Sequence, residues 1–185
     1  VTVNEFVVTD SYGNSDTCSF EVLRYDFPTA ADAGLDQEKC EEFTAPLDGN
    51  DPLIGIGIWT RLEGIGTIDD TLNNQATITG NDTGLTVLEW RIENGVCPIE
   101  RDTMTIREYV NPTAANAGED VSICDTNETF LAAVETDFGY GRWILPSNGA
   151  TIDDTTDFGS LVTDLELGSY QFTWRVRNGV CPITT

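Results

Sequence analysis

From Thr86 to Glu93 the chain alternates, with Leu88, Trp90 and Ile92 on one side and Glu89, Arg91 and Glu93 on the other. A period of two belongs to extended chain with one packed and one wet face, and Tyr170 to Arg177 repeats it with Phe172, Trp174 and Val176 inward. Each run leads into Asn-Gly, at 94–95 and 178–179, whose residues take up the positive φ angles of a tight hairpin. Asp102 to Tyr109 is therefore expected as the returning strand. Shorter β-like runs at Gln37–Cys40, Thr44–Leu47, Gly57–Leu62, Thr67–Ile68 and Ala76–Thr79 bring the count to about seven. No stretch carries a helical period.

The pattern is duplicated. A shift of 84 residues lays Pro28-Thr-Ala-Ala on Pro112-Thr-Ala-Ala, Cys40 on Cys124, Trp59 on Trp143, Thr67-Ile-Asp-Asp-Thr71 on Thr151-Ile-Asp-Asp-Thr155, and Asn94-Gly-Val-Cys-Pro-Ile99 on Asn178-Gly-Val-Cys-Pro-Ile183. No gap is needed, and 27 of the 74 aligned pairs are identical, concentrated at turn glycines, tryptophans and cysteines, which marks duplication. The organisation expected is a short segment 1–27, a first copy 28–111, and a second copy 112–185 that lacks the counterpart of Asp102–Tyr109. Seven short strands in 84 residues predict an all-β chain of tandem immunoglobulin-like β-sandwich modules.

Composition narrows the function. Nine basic against 32 acidic residues and no histidine give a net charge of −23, and each of the three segments is acidic in its own right. Binding to nucleic acid or to anionic lipid rests on Lys and Arg, so both are poor expectations. The longest apolar stretch, Pro52 to Trp59, falls far short of the roughly 20 residues that cross a bilayer. With 39% apolar residues and four tryptophans the chain still has enough to fill a core, unlike acidic disordered tails.

Each copy holds two cysteines, Cys40 with Cys97 and Cys124 with Cys181, the same distance apart. Pairing within each copy is the expectation, closing a loop worth about 4 kcal/mol of unfolded-chain entropy and implying an oxidising, extracytoplasmic setting. The competing reading, zinc, wants Cys-x-x-Cys or histidine, and neither occurs. Cys18 is odd, and is expected to pair with a cysteine upstream of the sequence or to stay a free thiol.

The segment Thr9-Asp10, Gly13-Asn14 and Thr17-Cys18-Ser19-Phe20 resembles the closing hairpin of a hyalin-repeat (HYR) domain. Pro-Thr-Ala-Ala-x-Ala-Gly-x-Asp-x-x-x-Cys, the central Trp and Trp-Arg-x-x-Asn-Gly-Val-Cys-Pro resemble PKD-like, immunoglobulin-fold repeats of very large Bacteroidota surface proteins. Among those are gliding-motility adhesins exported by type 9 secretion. The resemblance implies an extracellular, cell-surface location and neighbouring repeats of the same chain as partners. Further partners it implies are the gliding and secretion machinery and extracellular glycans or surfaces.

Several side chains invite a chemical role. Asp69-Asp70 and Asp153-Asp154 are adjacent, so in extended chain they point to opposite faces and suit turns better than acid–base catalysis; no enzyme is expected. No cofactor is expected, calcium excepted, for which Asp32, Asp36 and Asp120 near the linkers are the candidate ligands, although no Asp-x-Asp-x-Asp-Gly loop occurs. Thr71, Thr103 and Thr155 fit the Asp-Ser/Thr-apolar pattern that, by the same resemblance, marks O-glycosylation. Trp59, Trp90, Trp143 and Trp174 are expected in the cores, the alternative being a sugar-stacking platform. The functional expectation is a stalk or filament segment of a large secreted adhesin. The alternative is a glycan-binding module attached to a polysaccharide-degrading enzyme.

Overall fold

A computed structural model of the chain describes residues 2–147 and 149–185; Val1, which opens the expected hairpin segment, lies outside them. Among the described residues every regular element is a β-strand. β1 (Thr2–Thr9) and β2 (Ser15–Val22) form a hairpin, closed where Asp10 Oδ1 accepts the amides of Tyr12 and Asn14, each at 2.9 Å.

Seven strands follow: β3 (Gln37–Cys40), β4 (Thr44–Pro46), β5 (Ile56–Glu63), β6 (Thr67–Ile68), β7 (Thr77–Thr79), β8 (Gly84–Glu93) and β9 (Glu100–Tyr109). They make two sheets, β3-β9-β8-β5 and β4-β7-β6. Every contact in them is antiparallel except β3 with β9, which run parallel. This two-sheet arrangement, with the first strand added to the last, is an immunoglobulin-like sandwich. Between the sheets lie Leu47, Trp59, Ile78, Leu88, Trp90, Ile92, Met104 and Ile106, all buried. The alternation in 86–93 thus produces the packed face it predicts. Its opposite face is less wet than expected: Glu89 is almost covered, with Arg101 Nη1 at 2.6 Å from its Oε1.

The second copy repeats the plan with β10 (Thr129–Phe130), β11 (Tyr140–Ile144), β12 (Thr151–Ile152), β13 (Leu161–Thr163) and β14 (Thr173–Arg177), in sheets β11-β14 and β10-β13-β12. Trp143, Ile152, Val162, Trp174 and Val176 fill its core. The strand expected over 170–177 begins only at Thr173, with Tyr170 and Phe172 stacked against the core instead. Residues 121–124, the counterpart of β3, form no strand, because β3 exists by pairing with β9 and the 185 residues contain no second β9.

The tryptophan pairs show why the copies fold alike. Trp59 faces Trp90 across β5 and β8, and Trp143 faces Trp174 across β11 and β14, with ring centroids 4.9 and 5.0 Å apart. One indole of each pair packs directly against a glycine, Trp90 against Gly57 and Trp174 against Gly141, where any Cβ would clash with the ring carbons. Trp59 and Trp143 each bind the carbonyl of the matching threonine, Thr71 or Thr155, through their backbone amides at 2.8 Å.

The copies differ at one buried hydrogen bond. In the first, the Trp90 indole N–H donates to Asn50 Oδ1 at 3.1 Å, while the same side chain accepts the Asp32 amide and donates to the Ala30 carbonyl. In the second, Val134 stands in place of Asn50 with the same backbone bond, and the buried Trp174 Nε1 has no partner. Val134→Asn should restore it and stabilise the second sandwich by about 1 kcal/mol. Chemical denaturation followed by tryptophan fluorescence measures this, and an unchanged midpoint would contradict it.

Candidate functional site: the module junction

The cysteine pairing differs from expectation. Cys40 bonds Cys181, across the two copies, with Cα atoms 5.2 Å apart; Cys18, Cys97 and Cys124 are free thiols. The expected bridges Cys40–Cys97 and Cys124–Cys181 are both absent, and the reason is strand direction. Parallel pairing of β3 with β9 sets Cys40 beside Tyr109, at the far end of β9. Cys97 precedes the near end of that strand at Glu100, so ten residues of extended chain hold the two cysteines about 30 Å apart. A disulfide needs Cα atoms within about 7 Å. The sandwich therefore presents one cysteine at each pole, and only cysteines of consecutive copies meet.

The junction around this bridge is assembled from the turn that the two copies share. Asn178 and Gly179 form the turn after β14, and Gly179 takes φ 51°. Its missing side chain leaves room for the Tyr109 ring, which packs directly on it. Asn178 Nδ2 donates to the Val110 carbonyl at 2.8 Å, and Cys181 Sγ lies 3.2 Å from the same oxygen. From the first copy, Glu41 grips Asn111 twice, accepting its amide at 3.1 Å and its side-chain Nδ2 at 2.6 Å. The linker after it is held by Thr184, whose Oγ1 donates to the Thr113 carbonyl and accepts the Ala115 amide. Tyr109 Oη donates to Glu38 Oε1 at 3.3 Å; burial first, and the Glu38 carboxylate second, push this phenol above its usual range.

Next to the junction sits a buried acid. Glu108 is 3% exposed and accepts the Glu42 amide at 2.9 Å and Asn81 Nδ2 at 3.2 Å, tying the turn after Cys40 to the end of β9. That turn carries Glu41 and Phe43 in left-handed backbone, so it relies on such anchors. The sequence offered a signal for neither Glu108 nor Glu41, since isolated glutamates in an acidic chain look alike.

The other candidates are spread out. Asp32 Oδ1 accepts the Gly34 amide at 3.0 Å, Asp36 Oδ1 accepts the Thr105 amide at 2.7 Å, and Asp120 is exposed on the second copy. The structure does not bring them together, and among the described residues no group of three His, Cys, Asp or Glu converges on a metal position. Asp69 caps the amides of Asp70 and Thr77, and Asp154 holds the amide and hydroxyl of Thr156, which keep its carboxyl below the usual range. Thr71 and Thr103 are exposed, while Thr155 is half-buried.

All four tryptophans are at most 3% exposed, so none offers a face to a sugar. A shallow groove of about 610 Å³ does cross β11 and β14, lined by Tyr140, Arg142, Arg175 and Arg177 among others. Those arginines are every basic side chain of the second copy, and Arg142 stands directly opposite Arg175. In an acidic protein such a cluster of cations lowers the repulsion an anion meets.

No family model matches the chain, and no curated protein does. Among solved structures it is similar to the PKD domain from KIAA 1837 protein, at 19% identity over 55% of this chain and all of that one, with a TM-score of 0.38. It is also similar to the two-domain DIP-gamma IG1+IG2, at 11% identity over 86% of this chain and 94% of that one, with a TM-score of 0.39. The sheets and strand order described above make each copy an immunoglobulin-like β-sandwich, and the disulfide that joins the copies is of a sort typical of extracellular chains.

Proposed function

We propose that the chain is a tension-bearing segment of the stalk or filament of a large secreted cell-surface adhesin. The observation that carries this reading is the bridge between consecutive sandwiches. Pulled between residues 28 and 185, the covalent path runs along 28–40, crosses the disulfide and leaves through 181–185. Apart from Ala33, every buried residue of both cores lies in the bypassed stretch and bears no load through the backbone. Acidic modules that repel one another and a short Pro-Thr-Ala-Ala linker suit the same role. The resemblance of the repeats to Bacteroidota surface proteins favours an adhesin of gliding motility exported by type 9 secretion. Its partners would be further repeats and the surfaces or glycans it meets. The glycan-module alternative keeps only the arginine groove for support, since the tryptophans are sealed.

Single-molecule extension tests the reading. With handles at the two ends, the reduced chain should unravel further than the oxidised one by the length of the 141-residue separation between Cys40 and Cys181. At about 3.4 Å per residue that is roughly 480 Å. Equal final lengths in the two states would sink it.

A further inference from the structure

The junction exists twice, and only one copy of it is closed. Eighty-four residues before the Tyr109, Val110, Asn178, Gly179 and Cys181 set stand Tyr25, Asp26, Asn94, Gly95 and Cys97. They are arranged in the same way. The Tyr25 ring packs on Gly95 as Tyr109 packs on Gly179. Asn94 Nδ2 donates to the Asp26 carbonyl at 2.8 Å, as Asn178 does to Val110. The Cys97 sulfur lies 3.2 Å from that carbonyl, the distance at which Cys181 lies from its own.

The chain leading into the first copy is also the same piece of fold. β1 pairs with β2 so that Thr2 faces Val22 and Val8 faces Asp16, and β8 pairs with β9 so that Thr86 faces Ile106 and Ile92 faces Glu100. From Thr2↔Val22 to Val8↔Asp16 every pair recurs in β8 and β9 shifted by 84. The hairpin is thus placed on the first sandwich as β8 and β9 are placed on the second. Phe6, Val8, Phe20 and Val22 occupy the positions of Trp90, Ile92, Met104 and Ile106, and are exposed or face one another.

We infer that Cys97 and Cys124 are the two open ends of a disulfide ladder, each cross-linking to a further module of the same repeat. Cys97 takes the part that Cys181 plays, and its partner is the β3-position cysteine of the module before it. Cys124 takes the part of Cys40, and its partner is the cysteine after the Asn-Gly turn of the module that follows. Cys18 does not serve Cys97, because it lies in β2, seven residues before the Tyr25 that packs at Gly95, about 23 Å away along extended chain. Nor do Cys97 and Cys124 serve each other, since Cys97 lies against Asp26 at the entry of the first copy, while Cys124 holds the position of Cys40 in the second, on the side of the following module. Each rung forms by thiol–disulfide exchange. One thiolate attacks the disulfide of a dithiol oxidant, and the second displaces the resulting mixed disulfide. One S–S bond is made, one is broken, and the two thiol hydrogens end on the reduced oxidant.

The inference deepens the stalk reading but has its own test. The full chain is lengthened after Thr185 by residues 102–111 and then by a further copy of 28–111, secreted under oxidising conditions, alkylated and mapped without reduction. Cys124 should appear joined to the added copy of Cys97, the Cys40–Cys181 bridge should persist, and the added copy of Cys40 should carry alkyl label. Labelled Cys124, or Cys124 joined to any other cysteine, overturns the ladder. Should the added module fail to fold, the protein taken from its native cells gives the answer by the same mapping. There Cys97 and Cys124 should both resist alkylation and be linked to peptides outside residues 1–185; alkylation of either, or a link from either to a cysteine within 1–185, overturns the inference. Both failures leave the Cys40–Cys181 bridge, and the extension experiment built on it, untouched.

Discussion

Cys181→Ser should lower the thermal transitions of both sandwiches together, although the residue belongs to the second copy only. While one sandwich stays folded, the bridge and the peptide linker close the other into a loop of roughly 70 residues when it unfolds. In the chain-entropy model that loop is worth about 4 kcal/mol to either copy, and measured bridges give about 2–4. Bridges inside each copy would behave otherwise, since loss of Cys181 would then weaken only the second sandwich. Calorimetry of the oxidised chain, of Cys181→Ser and of Cys97→Ser separates the two. The expected order is two lowered transitions for Cys181→Ser and none for Cys97→Ser. A loss confined to the second sandwich would refute the inter-module bridge.

Trp90→Ala carries the other large effect, and here it should stay local. The side chain is fully buried, stacks on Trp59 and donates to Asn50, so its removal leaves a cavity and strips Asn50 of a partner. A loss of about 3–5 kcal/mol is expected in the first sandwich. Gly57→Ala attacks the same contact from the backbone side, forcing a methyl into the indole at a cost of about 1–3 kcal/mol. The two are coupled, because the methyl has room once the indole is gone. The double variant should be more stable than the sum of the single losses predicts. Strict additivity would mean that Trp90 moves away from Gly57 at little cost.

How much of this was legible beforehand follows from the range of each signal. Strand alternation needs only the residue and its neighbours, so 86–93 and its hairpin partner stand where the sequence puts them. The four tryptophans could be assigned to cores because they fall on the apolar side of alternating strands, and two of the glycines that make space for them fall at duplicated positions. Glu89 departed from its expected wet face because Arg101, on the next strand, folds over it. That neighbour is known only after β8 and β9 are set in register.

The cysteines were beyond such signals. Cys40–Cys97 and Cys40–Cys181 use the same two kinds of position, and a repeat cannot tell its own copy from the next. The parallel addition of β3 to β9 made the choice, because it carries Cys40 to the pole facing the following module and leaves Cys97 at the opposite pole. The sequence by itself determined the duplication, the strands, the turns and the aromatic cores, all of which depend on local periodicity and side-chain size. The tertiary structure alone decided which sulfurs meet, because that depends on the direction of two strands about 70 residues apart.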